Sequence, residues 1–287
     1  MTTTPSDDNT YLLDAESPAE LARLINQDQM MTRAMGGPLA EQSAATLSSM
    51  LNILDLGCGP GGWVLDAAFA YPDIQVCGAD ISKSMTDYAN ARARSQGLKN
   101  TSFGVMDITK PLDFADASFD LVNARALFGV LRRDAWQPFI AECTRILRPG
   151  GILRLTEPVD FGVTTSLAFE QMQALWFRLY TRGGYGFSPH GPGFGLAPVL
   201  PRLLRLAGYR DVQYAAHALE FSADTPAWAD FFHNMEVACQ LGRDPAVKSG
   251  VASREEWDRV YQQMLIEMHA EDFCGIWHFT TFWGTKP

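Results

Sequence analysis

Residues 53–62 read Ile-Leu-Asp-Leu-Gly-Cys-Gly-Pro-Gly-Gly, an apolar run that enters a turn built from glycine, with one carboxylate, Asp55, two positions before Gly57. Gly57, Gly59 and Gly62 satisfy G-x-G-x-x-G, and Asp80 follows 23 residues after Gly57. At face value this is a dinucleotide fingerprint, in which glycine N–H groups and a helix N-terminus cradle a pyrophosphate. Asp55 argues for different chemistry. A carboxylate in the strand beneath the turn repels a pyrophosphate, whereas a ligand carrying an ammonium and a sulfonium and no phosphate suits it. S-adenosylmethionine is such a ligand.

Other groups able to do chemistry are few. Glu157 ends an apolar run and is expected to face a cleft. Arg125 can fork onto a carboxylate or pair with a local acid. His190 stands in Gly183–Gly195, thirteen positions with six glycines. Of these three, His190 is the expected proton acceptor if one is needed, because its ordinary pKa of roughly 6.5 lies near neutrality. His233 stands on an aromatic helical face and is expected in the core; His217, His269 and His278 lack ligand-like spacing, and no metal is expected. Five widely spaced cysteines without a C-x-x-C pair suggest neither a disulfide framework nor zinc, and a reducing cytoplasm is the expected setting.

The elements that must position these groups follow an alternating rhythm. Strands are expected at 51–56, 74–79, 101–106, 119–124 and 152–156, and helices at 62–71, 82–96 and 134–147. Alternation of this kind means a parallel sheet covered on both faces, with ligands bound beyond the carboxyl ends of its strands. Ser17-Pro18-Ala19-Glu20 starts an earlier helix with a cap, a proline and a first-turn acid. After 157, helices are expected at 161–182, 198–207, 225–241 and 253–271, and strands at 211–221 and 273–285. The expected architecture is α/β: a doubly wound, mostly parallel, seven-stranded Rossmann-like sheet with an antiparallel last strand, a lead-in helix and a helical cap. Residues 1–50 form the tail and lead-in, 51–157 the cofactor-binding core, and 158–287 the cap insertions with the last helix and two strands.

LDLGCGPGG at 54–62, GADIS at 78–82, MDI at 106–108, FDLVNAR at 119–125 and RILRPGG at 145–151 together resemble the class I S-adenosylmethionine-dependent methyltransferases, in particular a bacterial branch that includes methyltransferases of small molecules. The resemblance covers about residues 11–157. It implies that Gly57, Gly59 and Gly61 let the backbone approach the methionine part of the cofactor, and that Asp55 orients its amino end. It implies that Asp80 accepts both ribose hydroxyls and Ile81 packs on the adenine. Asp107 would receive the exocyclic amine, and Ile108 would offer its N–H to the ring. The Asn123 backbone carbonyl would face the ammonium group, and Tyr11 and Gln27 would close over the cofactor.

The rest of the sequence narrows the acceptor. The chain has 287 residues and a formal charge of −10, which disfavours nucleic acid and anionic membranes. No apolar run is long enough to span a bilayer, and Met1–Thr10 lacks the marks of a secretory signal. The segments after 157 are too long to be plain connections. They carry Trp176, Phe177, Tyr180, Phe194, Trp228, Phe231 and Trp257, most of them expected in packing and some lining an apolar or aromatic acceptor site. A small-molecule acceptor, methylated at O, N or C by in-line displacement, is the leading reading. An NAD(P)-dependent oxidoreductase and a non-catalytic S-adenosylmethionine binder are the rivals. Oligomeric state is open.

Overall fold

The computed structural model describes residues 11–188 and 193–287. Nine helices lie within them: α1 (Pro18–Ala34), α2 (Ala44–Leu47), α3 (Gly62–Ala70), α4 (Lys83–Ser95), α5 (Trp136–Ile146), α6 (Leu167–Arg182), α7 (Leu200–Leu206), α8 (Trp228–Lys248) and α9 (Arg254–Met268). The strands are β1 (Asn52–Leu56), β2 (Gln75–Asp80), β3 (Thr101–Val105), β4 (Phe119–Arg125), β5 (Leu147–Pro158), β6 (Val163–Thr164), β7 (Arg210–Glu220) and β8 (Gly275–Thr285).

The sheet runs β3-β2-β1-β4-β5-β8-β7, parallel from β3 to β5, with β8 antiparallel to both neighbours. Strand order reverses between β1 and β4, so the crevice at their carboxyl ends is the switch point where such sheets bind ligands. β4 is buried along its length up to Ala124, as a strand covered on both faces requires. Helices α6, α8 and α9 pack on one another, and α1 packs on α8, which closes the cap over the carboxyl edge.

Four local expectations are corrected. The sheet has an eighth strand, β6, because Val163 and Thr164 pair with Ile276 and Gly275 in line with β5. α6 therefore starts at Leu167 rather than 161, where Ser166 Oγ accepts the Phe169 N–H at 3.0 Å. α8 continues to Lys248 through Pro245, although proline offers no N–H to the preceding turn. β4 runs on to Arg125, which places Asn123 inside the ladder between Asp55 and Arg154.

Candidate functional site

The turn after β1 is fastened to the end of β2. Gly57 N and Cys58 N both donate to the Ala79 carbonyl, at 2.8 and 3.1 Å. Gly57 and Gly59 sit at φ of 68° and 50°, a left-handed conformation that only glycine adopts without strain. Gly59 N donates to Asp80 Oδ2 at 2.8 Å and Ser82 N to Asp80 Oδ1 at 2.9 Å. Each Asp80 oxygen thus holds one backbone donor and keeps a lone pair for a ligand. Burial raises its pKa, opposed by those N–H groups. Ile81, Asp107 and Ile108 follow the ends of β2 and β3 and line the same cavity. Asp107 Oδ1 accepts from Thr109 N at 2.9 Å and Thr109 Oγ1 at 2.6 Å.

Gly61 has a different job from the one the resemblance implies. It does not line the cavity, and a Cβ there would stand 2.6 Å from the Phe103 ring and 2.7 Å from Ala89. Its missing side chain lets α3 approach β3 and α4.

Beneath the turn, Asp55 is buried and reaches the cavity wall. Burial pushes its carboxyl up to about 7, against the pull of Arg125 and the Asn123 hydrogen bond. Asn123 Nδ2 donates to Asp55 Oδ1 at 2.7 Å, and Arg154 Nη1 donates to Asn123 Oδ1 at 2.6 Å. Arg154 Nε and Nη2 grip the two Glu41 oxygens at 2.6 and 3.2 Å. Asn123 is fully buried and does not line the cavity; Arg125 and Ala126, at the true end of β4, do.

The wall contributed by α1 is mixed, with Arg23, Gln27 and Asp28 beside Leu24 and Met31. Arg23 is buried and donates to Glu20 Oε2 from Nε at 2.7 Å and to Glu20 Oε1 from Nη2 at 2.6 Å. Its Nη1 donates to Gln27 Oε1 at 2.6 Å and to Asn234 Oδ1 of α8 at 2.9 Å. Tyr11 donates its hydroxyl to Glu20 Oε1. Tyr11 and Gln27 both line the cavity.

Arg125 is ion-paired with Asp28 and donates to Thr32 Oγ1 at 3.1 Å, so its guanidinium is engaged by α1 rather than free for an acceptor. Among the described residues, Asp28 Oδ2 and Arg125 Nε are buried without a hydrogen-bond partner, on residues that line the cavity. A ligand with both an ammonium and a carboxylate could satisfy such a pair.

The far end of the cavity is aromatic. Phe128, Phe161, Trp176, Tyr180, Phe231 and Trp277 line it, with Phe161 5.8 Å from Trp176 and 6.1 Å from Phe128 between ring centroids. Most of the other cap aromatics, including Trp228 and Trp257, do not reach it. Asp160 supplies a carboxylate there; Gly162 N donates to its Oδ1 at 2.8 Å, and burial raises its pKa.

Glu157 does not face the cleft. It is fully buried and accepts from Leu127 N at 2.7 Å and Phe128 N at 3.1 Å, which fastens the aromatic wall to β5. Burial pushes its carboxyl up to about 8 against those two donors. His190 lies outside the described residues. Among the described residues no group of His, Cys, Asp and Glu could hold a metal ion, and no helix is long and apolar enough to cross a membrane.

The structure thus brings Asp55, Gly57, Gly59, Asp80, Ile81, Asp107, Ile108, Tyr11, Gln27 and Arg125 to one cavity, and leaves Gly61, Asn123 and Glu157 behind its walls. Sequence reasoning missed Arg23, Asp28, Phe128 and Asp160. For Asp28 a signal existed: it shares a helix face with Leu24 and Met31, four and three positions away, and both line the cavity.

A family model described as a methyltransferase domain matches residues 53–151. The ubiquinone/menaquinone biosynthesis C-methyltransferase UbiE of Desulfotalea psychrophila is 33% identical over 200 residues, which cover 66% of this chain and 76% of that protein. The demethylmenaquinone methyltransferase of Lactococcus lactis is 27% identical over 177 residues, covering 58% and 69%. Among solved structures, Haemonchus contortus phosphoethanolamine N-methyltransferase 2, in complex with phosphomonomethylethanolamine and S-adenosylhomocysteine, superposes with a TM-score of 0.51. It is 18% identical, with 95% of this chain and 59% of that one covered, and it supports the fold. The chain belongs to the class I S-adenosylmethionine-dependent methyltransferases. It is an enzyme whose cofactor is S-adenosylmethionine.

Proposed function

We propose that the chain transfers a methyl group to a flat, apolar or aromatic small molecule. The observation that carries this reading is the continuity of one cavity from the glycine turn and its carboxylates to the ring of aromatic side chains. The quinone-pathway names of the Desulfotalea and Lactococcus relatives support an acceptor of this kind. The formal charge of −10 disfavours nucleic acid.

The described residues fit the cofactor. Asp80 would hold the ribose diol, Ile81 and Ile108 the adenine faces, and Asp107 the exocyclic amine. Asp55, Asp28 and Arg125 would meet the charged amino-acid end, where buried polar atoms wait for partners. Tyr11 and Gln27, braced by Glu20 and Arg23, would cover it. The cofactor supplies an activated methyl on a good leaving group, so the chain's work is to hold the acceptor in line, about 3–3.5 Å from the methyl, and to exclude water.

Calorimetry should show S-adenosylhomocysteine binding at roughly 1–100 μM. Asp80→Ala should weaken it about tenfold to a hundredfold, because a hydrogen bond to a charged group is worth roughly 1.5–3 kcal/mol. Unchanged affinity would put the ribose elsewhere. For the acceptor, labelled methyl should pass to hydroxylated naphthalenes and not to RNA; label appearing only in RNA would overturn the small-molecule reading. If the acceptor must lose a proton, Asp160 and His190 are the proposed takers. A kcat inflection near pH ~6.5 that disappears in His190→Ala would assign His190; a profile unchanged in that variant would favour Asp160.

A further inference from the structure

Every N–H of the Arg23 guanidinium is engaged. Nε and Nη2 donate to the two Glu20 oxygens at 2.7 and 2.6 Å, and Nη2 also reaches the Tyr11 hydroxyl at 3.4 Å. Nη1 donates to Gln27 Oε1 at 2.6 Å and to Asn234 Oδ1 at 2.9 Å. A guanidinium has five such donors and no acceptor, so Arg23 lines the cavity with no donor left for a ligand. Its effect is to fix two amides. Because a guanidinium only donates, each amide must turn its oxygen to Arg23 and its NH2 group away. Gln27 and Asn234 both line the cavity, and neither NH2 group has a partner among the described residues.

Asn234 is the more informative of the two. The residue is only 6% exposed, and its unpartnered Nδ2 is not sealed in the core, so its remaining exposure opens on the cavity. Phe231, Asn234, Met235 and Ala238 line the cavity from α8, at spacings that share one helix face. Phe231 belongs to the aromatic end, and Arg23 belongs to the wall that braces Gln27 over the cofactor. Asn234 is one helical turn from the first and bonded to the second. It therefore stands where the methyl group and its acceptor would meet.

We propose that Asn234 is a specificity-determining residue whose Nδ2 donates to a carbonyl or phenolate oxygen of the methyl acceptor. The inference rests on the methyl-transfer reading above and narrows its acceptors to aromatic molecules that carry such an oxygen. A plain hydrocarbon would fill the same aromatic walls and leave a buried N–H unpaired, which is costly. An arylamine, whose nitrogen donates, would set donor against donor. Arg23 is the positioning residue, since its saturated guanidinium prevents the Asn234 amide from turning over.

The test measures binding with S-adenosylhomocysteine present, so that only the acceptor end is open. The probes are 1-acetylnaphthalene and 1-isopropenylnaphthalene, which share a shape and differ by C=O against C=CH2. Quenching of Trp176 and Trp277, which line the cavity, should report both. The parent should prefer the ketone by about tenfold or more. Asn234→Asp keeps an oxygen for Arg23 and replaces the cavity donor with an acceptor, so the preference should vanish or reverse. Asn234→Leu, similar in size and without a donor, should bring the two probes within about twofold of each other. It keeps the test decisive if the aspartate variant does not fold. Equal binding of the probes by the parent, or a preference that survives both substitutions, would overturn the inference while leaving methyl transfer to hydroxynaphthalenes untouched. A loss of S-adenosylhomocysteine affinity with the ketone preference intact would assign Asn234 to the cofactor and overturn it as well. Label that fails to reach hydroxynaphthalenes, with the ketone preference present in the parent and lost in the variants, would fault the proposed reaction and still support the donor.

Discussion

Replacing Arg154 by alanine is expected to lower stability by about 3–5 kcal/mol, the usual cost of removing one member of a buried ion pair. Arg154 is fully buried, and it is the centre of a chain of contacts. Glu41 holds its guanidinium through two hydrogen bonds, Asn123 Oδ1 takes a third, and Trp63 lies 5.9 Å from the guanidinium carbon. Alanine would strand Glu41, whose carboxylate is buried and has Arg154 as its ion-pair partner. It would also release Asn123 and, through it, Asp55 beneath the glycine turn. Two readouts should therefore move together: the denaturation midpoint and the affinity for S-adenosylhomocysteine. A stable variant with weakened affinity would mean that Arg154 orients Asp55 without carrying the fold. A variant unchanged in both would remove the network from the account.

Arg154 also marks where the sequence stops being readable. The turn at 57–62 is legible because its demands are local: left-handed glycines, a strand before and a helix after. Asp80 and Asp107 are legible because a parallel sheet places successive strand ends at one edge. Arg154 sits mid-strand, where an apolar residue is expected, and its partners lie 113 and 31 positions away. The polar face of α1 is hidden for the same reason. Arg23 in isolation reads as a solvated residue, and its burial depends on Asn234, 211 positions on. Glu157 stands at the expected edge of the sheet, but its carboxylate turns to the Leu127 and Phe128 N–H groups rather than to the cleft. A strand alternates its side chains and binds through its backbone. One residue of extra length, or one carboxylate taken by neighbouring N–H groups, turns a ligand contact into a support. The eighth strand was invisible because two residues carry no period.

Glu157 should make the stability of the protein depend on pH in a direction opposite to ordinary acid denaturation. In the unfolded chain its proton leaves near 4.5; in the folded chain burial holds it until about 8. Between those values the folded state binds a proton that the unfolded state has lost, so stability falls as pH rises and the loss is complete above about 8. Asp55, raised to about 7, adds to the same slope. Each unit of such a shift is worth about 1.4 kcal/mol, and for Glu157 the sum is of order 2–4 kcal/mol once relaxation around the carboxylate is allowed for. Glu157→Gln is the informative variant, because glutamine copies the protonated acid. Its carbonyl oxygen can still accept from Leu127 N, at the cost of opposing Phe128 N with an amide donor. Near pH 5 the variant should be the less stable by about 1–3 kcal/mol, the cost of leaving the Phe128 N–H without its acceptor. Between pH 5 and pH 8.5 it should gain on the parent by roughly 2–4 kcal/mol, with a residual slope left by Asp55. Urea midpoints for both proteins from pH 5 to 8.5 measure this directly. Parallel curves would mean that Glu157 is already ionised in the folded chain, held so by the two N–H groups that fasten the aromatic wall to β5.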